Sequence, residues 1–222
     1  MSDLARPRDG DDLLKRLDHL NRIGIALSQE KDITRLLDMG MDPFNFADAL
    51  LGILAQRLAR RLCKCKEAHV ATAEEIQALM DEFCTELINT ESWGAVIDEA
   101  SGEAKRLTGD AEVKRREIAQ KKKAELLEQW TKEFGNEKGE LILHTAKGCE
   151  TCGNTGYKGR LGLHELLVGS DRIKKDIQNH ARVAKMFATC LDEGMRTLKQ
   201  DGIEKVLMGI TDIQQVRAVC IK

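Results

Sequence analysis

Four of the seven cysteines in this chain fall into two close pairs, Cys63-Lys64-Cys65 and Cys149-Glu150-Thr151-Cys152. Four thiolates satisfy tetrahedral zinc, with Zn–S bonds of about 2.3 Å. The second pair lies on a glycine-rich turn. A knuckle that aims two sulfurs and several backbone N–H groups at one ion needs positive φ, and Gly148, Gly153 and Gly156 can supply it. The C-x-C pair is the more constrained of the two, because only one residue separates its sulfurs. Two other readings stay open: ordinary free thiols, and a redox dithiol at Cys149 and Cys152, which lacks the βαβ context of such motifs. Cys84, Cys190 and Cys220 stand among apolar residues and read as core. His69 and His144 are near the pairs and are further candidate ligands, although His69 reads rather as a surface residue.

No other constellation points to catalysis. Gly148 and Gly153 have the glycine spacing of a P-loop, but Asn154 stands where the phosphate-binding lysine is required. No second G-x-x-x-x-G-K-[ST] occurs, and neither a Ser-His-Asp set nor H-E-x-x-H can be read. Without the lysine and a Mg²⁺-binding acidic residue, phosphoryl transfer has no machinery.

The 222 residues suffice for one good core or two small ones. A formal charge of -2 gives no basic field for nucleic acid or anionic lipid, so neither is an expected partner. Charged residues reach 32% and aromatics only 4%, which favours solvated helices. The first residues carry acidic groups and no long apolar run, unlike an ordinary signal peptide, and no stretch has the roughly 18 apolar residues of a membrane span. A cytoplasmic chain with reduced thiols is expected.

The elements that must position the cysteines follow from periodicity. Leu13, Leu14, Leu17, Leu20, Ile23 and Leu27 predict an amphipathic helix over 12–27. Asp42-Pro43 marks a helix start, and Phe46, Leu50, Leu54, Leu58 and Leu62 extend its apolar stripe to residue 62, with Arg57, Arg60 and Arg61 in the last turns. Ile76, Leu79, Met80, Phe83 and Leu87 predict another helix. The charged stretch 91–136 reads as a solvated helical arm. Leu141–Leu143 and Gly159–Leu166 predict two strands joined by the glycine-rich turn into a hairpin. Beyond it, Ser170 caps a helix with Ile173 and Ile177, further helices carry Met186 and Ile203, and Thr211 caps the last.

The runs Gly148–Leu167, Gly194–Leu207, Thr34–Phe44 and Leu50–Cys63 together resemble the tail of the type II secretion and type IV pilus assembly ATPases, over roughly residues 33–222. The resemblance implies a zinc-binding module held by Cys63, Cys65, Cys149 and Cys152, where the family more often has C-x-x-C in the first pair. It implies one structural zinc and no ATP site, since the family's Walker A loop, acidic and histidine boxes and Walker B strand are not among these residues. Residues 17–28 are similar to the opening helix of a GAF sensory domain, as if a longer motor protein had lost its middle near residue 32.

The expected fold is mainly α with a small zinc-bound β-hairpin or ribbon and a helical C-terminal cluster. Its segments are an N-terminal amphipathic helix (1–32), a helix from the end of the motor core (33–62), the four-cysteine zinc module with a charged helical insertion (63–169) and the cluster (170–222). The expected function is non-catalytic: protein–protein interaction with secretion or pilus motor subunits or an inner-membrane platform protein, placing the chain peripherally at that membrane. The alternative is a fragment that contributes to ATP hydrolysis alongside complete subunits. Loss of the motor sheet would expose the 44–62 stripe, so self-association or burial against the N-terminal helix is a further expectation.

Overall fold

The computed structural model describes residues 42–98 and 101–220; the expected 12–27 helix and the GAF-like segment lie outside them. The first helix, α1 (Pro43–Ala49), begins as the sequence indicates, with Asp42 accepting N–H bonds from Phe44 and Asn45. It stops after two turns. Residues that the leucine spacing assigned to the same helix form instead a long strand, β1 (Gly52–Leu62). The run Gly52–Leu62 satisfies both periods. Leucines at 54, 58 and 62 recur at helical steps, while Ile53 and Ala59 alternate as in a strand whose inner face holds the fully buried Leu163. A ladder partner a hundred residues downstream decides between them.

That partner is β4 (Tyr157–Val168), antiparallel to β1 from Gly52 opposite Val168 to Leu62 opposite Tyr157, with an irregularity between Arg60 and Leu62. A second ribbon pairs β2 (Glu67–Val70) with β3 (Ile142–Thr145), Glu67 facing Thr145. The expected hairpin of 141–143 with 159–166 is therefore not formed. The turn at Cys63–Lys66, closed by the Lys66 N–H on the Cys63 carbonyl at 3.0 Å, sends the chain back along β3. Each downstream strand thus finds an upstream partner.

Between the ribbons' halves run α2 (Ala73–Cys84) and α3 (Asp110–Phe134). Thr72 and Glu75 form a reciprocal cap at the start of α2, which buries Leu79, Met80, Phe83 and Cys84. Of the charged stretch 91–136, only Asp110–Phe134 forms the expected helix, 25 residues that bury only Trp130, seated edge-on against Phe83 with centroids 5.2 Å apart. Glu91–Trp93 is instead a 3₁₀ turn that buries Trp93, and Ile97 bridges Ala104. The remaining helices are α4 (Asp171–Gln178), α5 (Val183–Asp192), α6 (Leu198–Leu207) and α7 (Ile213–Cys220). Ser170 caps α4 through the Ile173 N–H, as expected. At α7 the cap is Asp212, accepting from Gln215, and Thr211 donates instead to the Arg60 carbonyl. Gln200, buried at the start of α6, donates to the Phe83 carbonyl and ties that helix to α2. Helix remains the main element, joined by two small antiparallel sheets.

Candidate metal centre

Cys63 follows the last residue of β1, Cys65 sits on the turn into β2, and Cys149 precedes and Cys152 ends a single 3₁₀ turn (Glu150–Cys152) just before β4. Pairing of β1 with β4 and of β2 with β3 carries both pairs to the same end of the ribbons, and the four sulfurs lie within 4.8 Å of one another. Individual separations are 3.9 Å for Cys63–Cys149, 4.0 Å for Cys65–Cys152 and 3.8 Å for Cys149–Cys152. A tetrahedron with bonds of about 2.3 Å to its centre has edges of about 3.8 Å, so the donor set has the dimensions of a tetrathiolate zinc site. The single residue between Cys63 and Cys65 is accommodated, because both sulfurs reach the shared centre from a tight turn.

Local backbone serves the sulfurs. The N–H groups of Cys149 and Gly156 both donate to Cys152 Sγ at 3.2 Å. Such bonds stabilise thiolate over thiol. At Cys152 burial pushes the pKa upward, but the donors from Cys149 and Gly156 and the neighbouring sulfurs outweigh it and bring it to about 6. Cys149 is also lowered, chiefly by the Cys152 N–H, whereas burial and the adjoining Cys149 thiol push Cys65 up to about 12. Unlike proton affinities on contacting sulfurs describe one shared proton-binding cluster that a divalent ion can replace.

Gly148, Gly153 and Gly156 all have positive φ, as the knuckle requires. Two are also enforced by space. A Cβ on Gly148 would stand 2.8 Å from the Asn154 carbonyl oxygen, and one on Gly156 would stand 2.5 Å from the Ala146 Cβ. The P-loop-like spacing is thus occupied by cysteine chemistry, with Asn154 itself in a left-handed conformation at φ 59°.

Of the other candidates, neither histidine joins the cluster. His69 bonds Glu75 at 3.0 Å, and His144 packs beside Gly209 with its Nδ1 buried and unpartnered. Cys84 and Cys190 are buried in the core and pushed up in pKa by burial, to about 11 and about 12. Cys220 is half-buried against the same core.

Sequence reasoning missed the residues that fasten the knuckle to the helices. Lys66 donates to the Gly209 carbonyl at 2.5 Å, the Leu62 N–H donates to Ile210, and the Cys63 N–H donates to Gly156. Nearby, the Arg60 guanidinium lies 4.5 Å over the Tyr157 ring and donates to Gln215, while the Tyr157 hydroxyl donates to Asp212 at 2.6 Å. The adjacency of Lys66 to Cys65 was visible; its partner, 143 residues away, was not.

Comparison with known proteins falls in line with this arrangement. The profile of the family described as type II/IV secretion system protein matches residues 26–218. The chain belongs to that family. The type IV pilus assembly ATPase PilB of Thermus thermophilus is 34% identical over 196 residues, which are 86% of this chain and 16% of that protein. The type II secretion system ATPase E of Vibrio cholerae is 30% identical over 188 residues, 84% of this chain and 26% of its own length. The type II secretion system protein E of Pseudomonas aeruginosa is 29% identical with the same coverage. The chain spans between a sixth and about a quarter of these relatives. Among the described residues, no helix is long and apolar enough to cross a membrane.

Proposed function

We propose that this chain is a non-catalytic, zinc-stabilised module of a type II secretion or type IV pilus motor ATPase, acting by protein–protein contact within that machinery. The observation that carries the reading is the convergence of Cys63, Cys65, Cys149 and Cys152 within 4.8 Å from two sequence-distant pairs. A single zinc held there stitches the end of β1 to the start of β4 and serves structure, because four protein ligands leave no open position for substrate. The non-catalytic part rests on the loop at Gly148–Gly156. Its N–H groups at Cys149 and Gly156 are directed at a sulfur and not at a phosphate cradle. The partners proposed are motor subunits or the inner-membrane platform protein, which would hold the chain peripherally at that membrane.

The deciding experiment is zinc per chain in protein purified without added metal, with thiols counted before and after chelation, alongside ATP turnover. One zinc, four thiols released by chelator and no turnover are expected. A metal-free folded chain with all its cysteines reactive rejects the zinc assignment. Turnover by the purified chain rejects the non-catalytic one.

A further inference from the structure

The two halves of the cysteine cluster are built differently. Cys149 and Cys152 share one 3₁₀ turn, with their sulfurs 3.8 Å apart and no other element between them. Both are partly exposed, and Glu150, Thr151, Gly153, Asn154 and Thr155 around them are exposed. Small solutes therefore reach this pair from the tip of the loop. In the other half, Cys63 is only 4% exposed. Its backbone is pinned on both sides, the N–H donating to the Gly156 carbonyl and the carbonyl accepting from the Lys66 N–H.

The C-x-x-C spacing that suits a metal also suits a dithiol. From a separation of 3.8 Å, an S–S bond of about 2.05 Å needs an approach of about 1.8 Å, within reach of side-chain rotation on a single turn. No ladder bond has to break. A bond across the two halves would instead engage Cys63, which solutes do not reach, or Cys65, whose turn Lys66 ties to the Gly209 carbonyl. A bond within Cys63-Lys64-Cys65 would close the tightest ring, with one residue between the sulfurs.

We infer that the cluster is also a redox clasp: a peroxide closes Cys149 and Cys152 into a disulfide, and this oxidation undoes the metal link between the two ribbons. One thiolate attacks a peroxide oxygen, breaking the O–O bond, and becomes a sulfenic acid as hydroxide leaves. The second thiolate attacks that sulfur, forming the S–S bond and releasing a second hydroxide. With two protons taken up, the peroxide ends as two waters, reduced by the two electrons that the sulfur pair gives up. A thiolate and not a disulfide ligates metal, so Cys63 and Cys65 alone would remain to hold an ion that requires four donors. The segment between Cys63 and Cys149, 86 residues apart, would then be held by strand pairing without the clasp. Loss of metal on oxidation rests on the zinc proposed above; closure of the disulfide does not.

Hydrogen peroxide added to the full chain, followed by alkylation, peptide mapping and a zinc count with a colorimetric chelator, tests it. Expected are one disulfide joining Cys149 to Cys152, zinc lost in step with it, and recovery of both with dithiothreitol and added zinc. The buried Cys84 and Cys190 report on the fold and should stay reduced throughout. Overturning results are a pair that stays reduced, a main product joining Cys63 or Cys65 to the second pair, or a disulfide that appears only when the core cysteines are oxidised as well. The same treatment of the metal-stripped chain should give the same disulfide. A chain purified without zinc would therefore reject the zinc assignment alone, and the peptide map would still decide the disulfide. Sulfurs that stop at sulfinic acid in that chain overturn the inference.

Discussion

Cys63 and Cys149 stand 86 residues apart in sequence, and their sulfurs are 3.9 Å apart. Bringing them together closes a loop that contains α2 and α3, so whatever bridges the sulfurs also limits the freedom of that loop.

With zinc held there as proposed, its removal should therefore unfold more than the knuckle. Cys152→Ser is expected to lose zinc and several kcal/mol of stability, which for a chain of this length lowers Tm by on the order of 10 °C. Cys84→Ser, in the core, should lower Tm while retaining zinc, because that sulfur lies outside the cluster. Zinc content and calorimetry on the two variants separate a ligand from a buried thiol.

Gly202 is packed so closely against α7 that a Cβ would lie 2.5 Å from Val216 Cγ1. Gly202→Ala should destabilise by about 1–3 kcal/mol through overpacking, against the usual helix-stabilising effect of alanine. Adding Val216→Ala should recover part of the loss in denaturant melts, since it removes the methyl groups that clash.

The Tyr157 hydroxyl donates to Asp212 at 2.6 Å beside the knuckle. Tyr157→Phe leaves the ring under Arg60 but strips a charge-assisted bond, and should cost about 1.5–3 kcal/mol in urea titration. Zinc stoichiometry should not change, because the sulfurs are untouched.

Burial, helped by the neighbouring positive charges of Lys66 and His69, holds the His144 pKa below its ordinary value near 6.5. The folded chain thus binds this proton less readily than the unfolded chain. Its contribution to stability is full above about pH 6.5 and is lost as pH falls through the lowered folded value. Stability of His144→Gln, measured by denaturant melts from pH 7.5 to 5, should fall less steeply than that of the wild type over this window. Parallel curves would show that another group governs the slope.

Residue types and short-range spacing determined much of the chemistry. The knuckle glycines, the C-x-x-C and C-x-C pairs, the caps at Asp42 and Ser170 and the core positions of Cys84 and Cys190 depend on local φ, local hydrogen bonds or apolar neighbours, all of which a linear reading contains. Tertiary structure decided the strands. Leu54 and Leu58 fit a helical stripe as well as a strand, and only the ladder with β4 resolves them. Pairing of Cys63 and Cys65 with Cys149 and Cys152 and the Lys66–Gly209 tie arise from the same non-local registration. A strand, unlike a helix, takes its hydrogen bonds from elsewhere in the chain, so its identity and its exposed edge are fixed only once the partner is in place.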